Sequence, residues 1–323
     1  MTRKSFAPAR ILSVVALSIA VLTLLVAPGT AQSCESHTIL TASSNPSSVE
    51  AQVAFTAQLI AKAYCNGVAQ ECNGNMSFYE GTTSIGSARV GGPSCSATIS
   101  DSSLTVGNHE ITVFYSGGFP PNSTRIIQTV DPYPTTTTLT SALNPSIYGQ
   151  PVSWTATTVS QEPGNVPPPT GTVSLVWNGT IIVQAPLTAS GIVTLTRANF
   201  NADSYPLTAV YSGDAYNGRS TSPVLNQVVE QTTSSATLTS SPNPSAQGES
   251  VTFTAQVLSP SAAATGPVTF AIGKTVLGTA QLAGSIANFT TSALPLGSTT
   301  VTATYYGDSN IAKSSATVTQ TVH

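Results

Sequence analysis

The chain has 323 residues, of which only 7% are charged, with 10 Lys+Arg against 13 Asp+Glu. Soluble proteins average roughly 25% charged residues, and coiled coils carry more, so a charged helical protein is excluded, as is a nucleic-acid binder, which needs a basic face for phosphates. Hydrophobic residues make up 40% and the formal net charge is -3, which excludes charge-driven disorder.

Arg3, Lys4 and Arg10 open the chain, an apolar run follows from Ile11 to Ala27, and small, turn-prone residues follow from Pro28 to Ser33. This three-part pattern predicts a secretory signal peptide over 1–33, cleaved after Ala31 or Ser33. The apolar run sits at the short limit for a membrane span. Gln32 is a poor lead-in for lipidation of Cys34, so cleavage is preferred over an anchor or a lipoprotein. Cleavage removes three basic residues and no acid. The mildly acidic remainder favours neither DNA nor an anionic membrane. No transmembrane segment is expected after signal removal, and the protein is expected to be secreted, extracellular or at the cell surface.

Beyond the leader the chain repeats. Leu40-Thr41, Leu139-Thr140 and Leu238-Thr239 stand at a constant spacing, as do Asn45-Pro46-Ser47, Asn144-Pro145-Ser146 and Asn243-Pro244-Ser245. Val53-x-Phe55-Thr56-Ala57 returns as Val152-x-Trp154-Thr155-Ala156 and Val251-x-Phe253-Thr254-Ala255. Tyr115-Ser116-Gly117, Tyr211-Ser212-Gly213 and Tyr305-Tyr306-Gly307 follow, and each unit closes on Gln128-x-Val130, Gln227-x-Val229 or Gln320-x-Val322. Such self-similarity predicts one supersecondary unit used three times. Domains are placed at 34–131, 132–231 and 232–323, after the leader at 1–33.

Each unit reads as all-β. Apolar residues alternate in Ile111, Val113, Tyr115, in Leu207, Ala209, Tyr211 and in Val301, Ala303, Tyr305. That period of two puts one face on a core and the other in water. Asn-Pro, Asn178-Gly179 and Gly-Asp pairs punctuate the strands as turns. Short strands at regular spacing suggest a seven-stranded immunoglobulin-like sandwich, three in tandem. The Asn-Pro-Ser turn, the Val-x-aromatic-Thr-Ala strand and the closing Tyr-x-Gly-Asp pattern resemble bacterial Ig-like repeat domains, the group often called type 3. The resemblance covers all three units. It implies a secreted or surface protein whose modules act as spacers, adhesive modules or carriers. The first unit departs from the others, with Glu50 where they have Gly149 and Gly248, and Gly118 where they have Asp214 and Asp308.

All four cysteines, Cys34, Cys65, Cys72 and Cys95, lie in the first unit. An even count in an exported chain predicts disulfides, with three connectivities open. Cys65–Cys72 across a loop and Cys34–Cys95 is the preferred pairing. The Cys65–Cys72 spacing does not suit zinc. These bonds would staple the free tip of the first unit, where a loop carries Phe119-Pro120-Pro121, so Phe119 is a candidate ligand-binding residue on a rigid scaffold. Trp154 occupies a core position shared with Phe55 and Phe253. Trp177 precedes a turn where the other units have Glu80 and Ile272, so it is the second candidate for sugar or protein contact.

No catalytic residue is expected. His109 stands where the other units have Tyr205 and Thr299, and no nucleophile elbow or phosphate-cradling motif occurs. Asp214 and Asp308 read as turn residues, and no metal or cofactor is expected. The function expected is a non-enzymatic adhesive or structural spacer; the alternative is a polysaccharide- or protein-binding module using the first unit's tip or Trp177. Candidate partners are a polysaccharide, a surface protein, or further copies of the chain through sheet edges guarded only by Lys62, Lys274 and Lys313.

Overall fold

A computed structural model describes residues 35–61, 64, 65, 68, 69, 72–91, 93–162, 164 and 166–323. The expected leader at 1–33 and Lys62 lie outside the described residues. Described secondary structure is strand and turn only, and no helix is long and apolar enough to cross a membrane.

The first sandwich contains β1 (Ser36–Ala42), β2 (Ser47–Ser48), β3 (Val53–Ala61), β4 (Tyr64–Cys65), β5 (Val68–Ala69), β6 (Gly74–Glu80), β7 (Thr83–Arg89), β8 (Ser96–Asp101), β9 (Gly107–Gly117) and β10 (Asn122–Asp131). One sheet has the order β1-β3-β8, and the other β2-β10-β9-β6-β7. The second sandwich repeats the plan with β11 (Thr135–Ser141), β12 (Ser146–Ile147), β13 (Val152–Ser160), β14 (Thr172–Trp177), β15 (Thr180–Pro186), β16 (Ile192–Arg197), β17 (Asp203–Tyr211), β18 (Ser220–Thr221) and β19 (Leu225–Glu230). Its sheets run β11-β13-β16 and β12-β19-β17-β14-β15. The third has β20 (Ser235–Ser241), β21 (Val251–Leu258), β22 (Pro267–Ile272), β23 (Thr275–Gln281), β24 (Ile286–Thr291), β25 (Gly297–Tyr305) and β26 (Ser314–Val322), in sheets β20-β21-β24 and β23-β22-β25-β26.

The two-residue alternation decides which side chains enter each core. Phe55, Phe78, Ile111 and Tyr115 fill the first, Trp154, Leu175, Leu195 and Tyr211 the second, and Phe253, Phe270, Val301 and Tyr305 the third. Pro223 stands between β18 and β19, where it removes a backbone donor from the last strand. The matching strands β10 and β26 run unbroken.

The Asn-Pro-Ser turn and the closing Gln-x-Val belong to one hydrogen-bonded unit. Asn45 Nδ2 donates to the Ile127 carbonyl at 2.6 Å, and its Oδ1 accepts from the Thr129 amide at 3.0 Å. Asn144 makes the same two bonds to Asn226 and Val228, and Asn243 to Thr319 and Thr321. Each asparagine amide thus stands in for a strand residue beside the last strand. The following serine is the acceptor for a buried glutamine: Gln128 Nε2 donates to Ser47 Oγ, Gln227 to Ser146 and Gln320 to Ser245.

The second sandwich completes this network and the others do not. Gln227 Oε1 accepts from Ser141 Oγ at 2.7 Å and from Trp154 Nε1 at 3.2 Å. Phenylalanine replaces Trp154 in the other two sandwiches, and there Gln128 Oε1 and Gln320 Oε1 are buried without a partner. Trp154→Phe should therefore cost the second sandwich about 2 kcal/mol, from one lost buried hydrogen bond plus lost volume. Native-state hydrogen exchange would show faster exchange in β13 and β19 and no change in the other sandwiches. Unchanged exchange in β19 would show that the indole bond contributes nothing.

Candidate functional site

The repeated Gly-Asp turns are where successive sandwiches meet. Asp214 follows β17, and its two carboxylate oxygens gather six donors, Asn217 Nδ2 among them at 3.2 and 3.3 Å. Oδ2 accepts from the Thr170 amide at 2.7 Å, Thr170 Oγ1 at 2.8 Å and the Tyr211 hydroxyl at 3.0 Å. Oδ1 accepts from the amides of Tyr216 and Asn217 at 2.9 and 2.7 Å. Asp308 repeats the arrangement with Thr265, Asn310 and Ile311. Burial works against each charge, but the backbone and hydroxyl donors outweigh it, holding Asp214 well below the carboxylate range and Asp308 at about 2. The neighbouring phenols move the other way. Burial and then the neighbouring carboxylate push Tyr305 up to about 12, and Tyr211 is raised by the same causes.

The loop shaped by Asp214 grips the incoming linker. The Tyr133 amide donates to the Tyr216 carbonyl at 2.7 Å, and the Gly218 amide donates to the Tyr133 carbonyl at 2.8 Å. Thr232 is held the same way by Asn310 and Ala312 in the third sandwich. The first sandwich has Gly118 in place of the aspartate. There Asn73 substitutes, its Oδ1 accepting the Gly118 amide at 3.1 Å and its carbonyl accepting the Tyr115 hydroxyl at 2.8 Å.

The same loops reach back to the preceding sandwich. At the first junction, Ala215 and Tyr216 line a cleft of about 250 Å³ with Val49, Glu50, Leu104 and Thr105. Tyr133 is buried against the first core, as a linker residue, and Val166 of the second sandwich packs on the same cluster. The Tyr133 hydroxyl donates to Glu50 Oε2 at 3.2 Å. Burial and this carboxylate raise the phenol's pKa. Glu50 holds φ at +61°, a conformation glycine adopts without strain and glutamate does not. Its departure from the glycine of the other units thus coincides with a bond to the linker.

The second junction is built differently. A Cβ at Gly149 would lie 2.7 Å from the Ser261 side chain of the third sandwich, so glycine is needed there for close approach. Asn310 Oδ1 accepts from the Ala202 amide at 2.8 Å, and Asn310 Nδ2 donates to Asn201 Oδ1 at 3.2 Å.

The sequence-expected sites fare unequally. Phe119 is 3% exposed and belongs to the first core, which corrects its reading as an aromatic displayed at the tip. The Gly118–Asn73 bond and a bond from the Phe119 amide to the Tyr115 hydroxyl at 3.2 Å turn the chain back, so the ring points inward. The expected cysteine pairing is also corrected: Cys72 bonds to Cys95, with Cα atoms 5.4 Å apart. Cys72 stands two residues before β6 and Cys95 directly precedes β8, so the bond joins the two sheets at one end. Cys34 and the side chain of Cys65 lie outside the described residues. Trp177 is half-buried at the end of β14, packed edge-on against Tyr205. His109 lies inside β9, buried and paired with Glu80, a contact the repeat positions place at the site of Trp177 and Tyr205. Among the described residues, no group of three or more His, Cys, Asp or Glu side chains is placed to hold a metal ion.

Three sandwiches of one topology, joined through specific linker and loop contacts, define a tandem Ig-like repeat protein. The bacterial Ig-like domain (group 3) profile matches residues 139–230 and 238–323, and the chain belongs to that family. The first sandwich lies outside the matched ranges, in keeping with its departures at Glu50 and Gly118. No curated protein matches the sequence. Among solved structures, the chain is similar to the fibronectin(III)-like modules of Clostridium thermocellum CbhA, at 19% identity over 58% of this chain and 94% of that one, with a TM-score of 0.25. It is also similar to FdeC, an Escherichia coli adhesin, at 14% identity over 91% of this chain and 100% of that one, with a TM-score of 0.31.

Proposed function

We propose that this is an exported, non-catalytic Ig-like repeat protein that serves as a structural or adhesive spacer at the bacterial surface or outside the cell. In this reading a leader at 1–33 is removed, and domains at 34–131, 132–231 and 232–323 remain. The observation that carries it is the pair of junctions. Specific side chains tie each sandwich to the next, Glu50 with Tyr133 at the first junction and Asn310 with Asn201 and Ala202 at the second. Independent domains on a passive tether need no such contacts, whereas a spacer that presents or separates something needs fixed angles between its modules. The basic-then-apolar leader and the extracytoplasmic use of disulfides such as Cys72–Cys95 support export.

Spin labels on exposed strand positions of the first and second sandwiches test this reading. The wild-type protein should give one narrow distance distribution. A Glu50→Gly, Tyr133→Ser double variant should broaden it while each sandwich keeps its own fold. A broad distribution in the wild type would overturn the reading of a spacer with set geometry.

A further inference from the structure

Trp177 marks the outer end of a column of aromatic rings. Its indole meets Tyr205 with ring centroids 5.2 Å apart, Tyr205 meets Phe200 at 4.8 Å, and Phe200 meets the buried Trp154 at 5.6 Å. All three contacts are edge-to-face, a geometry that fixes each ring against the next. The column runs from core to surface and ends in a cleft of about 180 Å³ lined by Trp177, Arg197, Asn199, Phe200, Asn201 and Tyr205 among others. Arg197 lies 5.4 Å from the Phe200 ring centroid and donates from Nη1 to the Ile182 carbonyl at 3.1 Å. That pins the guanidinium plane with most of its five N–H donors uncommitted. Asn199 is exposed at the rim with φ at +66°, a backbone state that asparagine tolerates better than most residues but that still carries strain.

The fold does not require this arrangement. At the same place the first sandwich has the Glu80–His109 pair, and the third has Ile272 and Thr299. The rings, the guanidinium and the amides are therefore particular to the second sandwich, at the end that faces the third.

We propose that this cleft is a carbohydrate site that takes one hexose residue of a polysaccharide. The half-buried Trp177 indole, held in place by the buried Tyr205 and Phe200, is the aromatic surface left for the apolar C–H face of a sugar ring. The fixed guanidinium and the exposed Asn199 amide supply planar donors and acceptors for neighbouring hydroxyls, which is the usual division between apolar walls and a few placed polar groups. The volume falls below the roughly 300–1,000 Å³ of sites for drug-sized ligands, so it accommodates a single ring whose chain continues into solvent.

The chain has two tryptophans, which makes the test direct. Trp154 is buried and bonded to Gln227, and Trp177 lines the cleft. Their indole N–H signals can be followed by NMR while the leaderless protein is titrated with cellohexaose, mannohexaose or maltohexaose. One of these should shift the Trp177 signal saturably and leave the Trp154 signal in place. Arg197→Ala should weaken binding by about tenfold, and Trp177→Leu should weaken it at least as much. An unmoved Trp154 signal in Arg197→Ala shows that the sandwich is intact. No saturable shift with any of the three sugars at about 10 mM, or wild-type affinity in both Arg197→Ala and Asn199→Ala, would overturn the proposal. Either failure leaves the spacer reading untouched, because that reading is tested separately, by distances across the first junction.

Discussion

Replacing Asp214 with alanine is expected to destabilise the second sandwich by about 3 kcal/mol and to release its grip on the linker. The carboxylate is the acceptor shared by Thr170, Tyr211, Tyr216 and Asn217. Hydrogen bonds to a charged group are each worth more than neutral ones, and alanine leaves several donors without a partner. Asp214→Asn should cost less, since one acceptor oxygen remains. Hydrogen exchange reads the effect site by site: the amides of Tyr216 and Asn217 and the linker amide of Tyr133 should lose protection, and the third sandwich should not change. Retained protection of the Tyr133 amide would show that the loop holds its shape without the carboxylate.

The same carboxylates set an acid limit. Their folded pKa values lie below the ordinary 3.8, so the stability they add is present above that value and is lost as pH falls through the folded one. For Asp308 the window is between about pH 4 and pH 2. The first sandwich has Asn73 in this role and should not lose stability there by this route.

Much of this architecture is legible in the amino-acid sequence. Alternation in Ile111, Val113 and Tyr115 marks a strand with one buried face, and the structure buries those three residues. The recurrence of Asn-Pro-Ser and Gln-x-Val marks three copies of one unit. Their partnership is less visible, because the asparagine and the glutamine stand far apart in every unit and meet only when the last strand returns beside the first turn. Gly-Asp is legible as a turn but not as a junction, since its work depends on where the next linker passes. Phe119 illustrates the limit of composition. An aromatic beside two prolines reads as a displayed loop, but one of the bonds that fold it inward comes from Asn73, 45 residues back along the chain, and the other uses a Tyr115 hydroxyl whose direction the sequence does not give. The Cys72–Cys95 bond is hidden in the same way, because sequence spacing does not say that the starts of β6 and β8 face each other across the sandwich. Comparing the repeats against one another is the most informative signal. It shows one position occupied in turn by Glu80 with His109, Trp177 with Tyr205, and Ile272 with Thr299, and it is there that the three sandwiches differ in chemistry.

At that position the first sandwich should respond to pH. His109 is 9% exposed, and both its ring nitrogens face acceptors, Nδ1 at 2.5 Å from Glu80 Oε1 and Nε2 at 2.6 Å from the Thr105 carbonyl. A neutral imidazole carries one N–H and can serve only one of them, so the geometry calls for the imidazolium. Burial opposes that charge, but the Glu80 bond, the Thr105 bond and the nearby Glu80 and Asp101 carboxylates outweigh it and hold the pKa above 6.5. A raised folded pKa fixes the sign. The stabilisation is complete below the ordinary histidine value and is lost as pH rises through the folded one. Its size should be ~2 kcal/mol, toward the lower part of the range for charged hydrogen bonds, because Glu80 is 38% exposed and screened by water. The loss falls on a particular place, since Thr105 lines the first junction beside Ala215 and Tyr216. Raising the pH from about 6 to about 9 should therefore speed exchange of the amides around Thr105 and broaden the distances between the first two sandwiches. His109→Phe should remove that pH response and lower stability at the acid end. An NMR titration in which the His109 ring loses its proton below the ordinary value, or a His109→Phe protein with the same pH response as the wild type, would show that this pair does not control the junction.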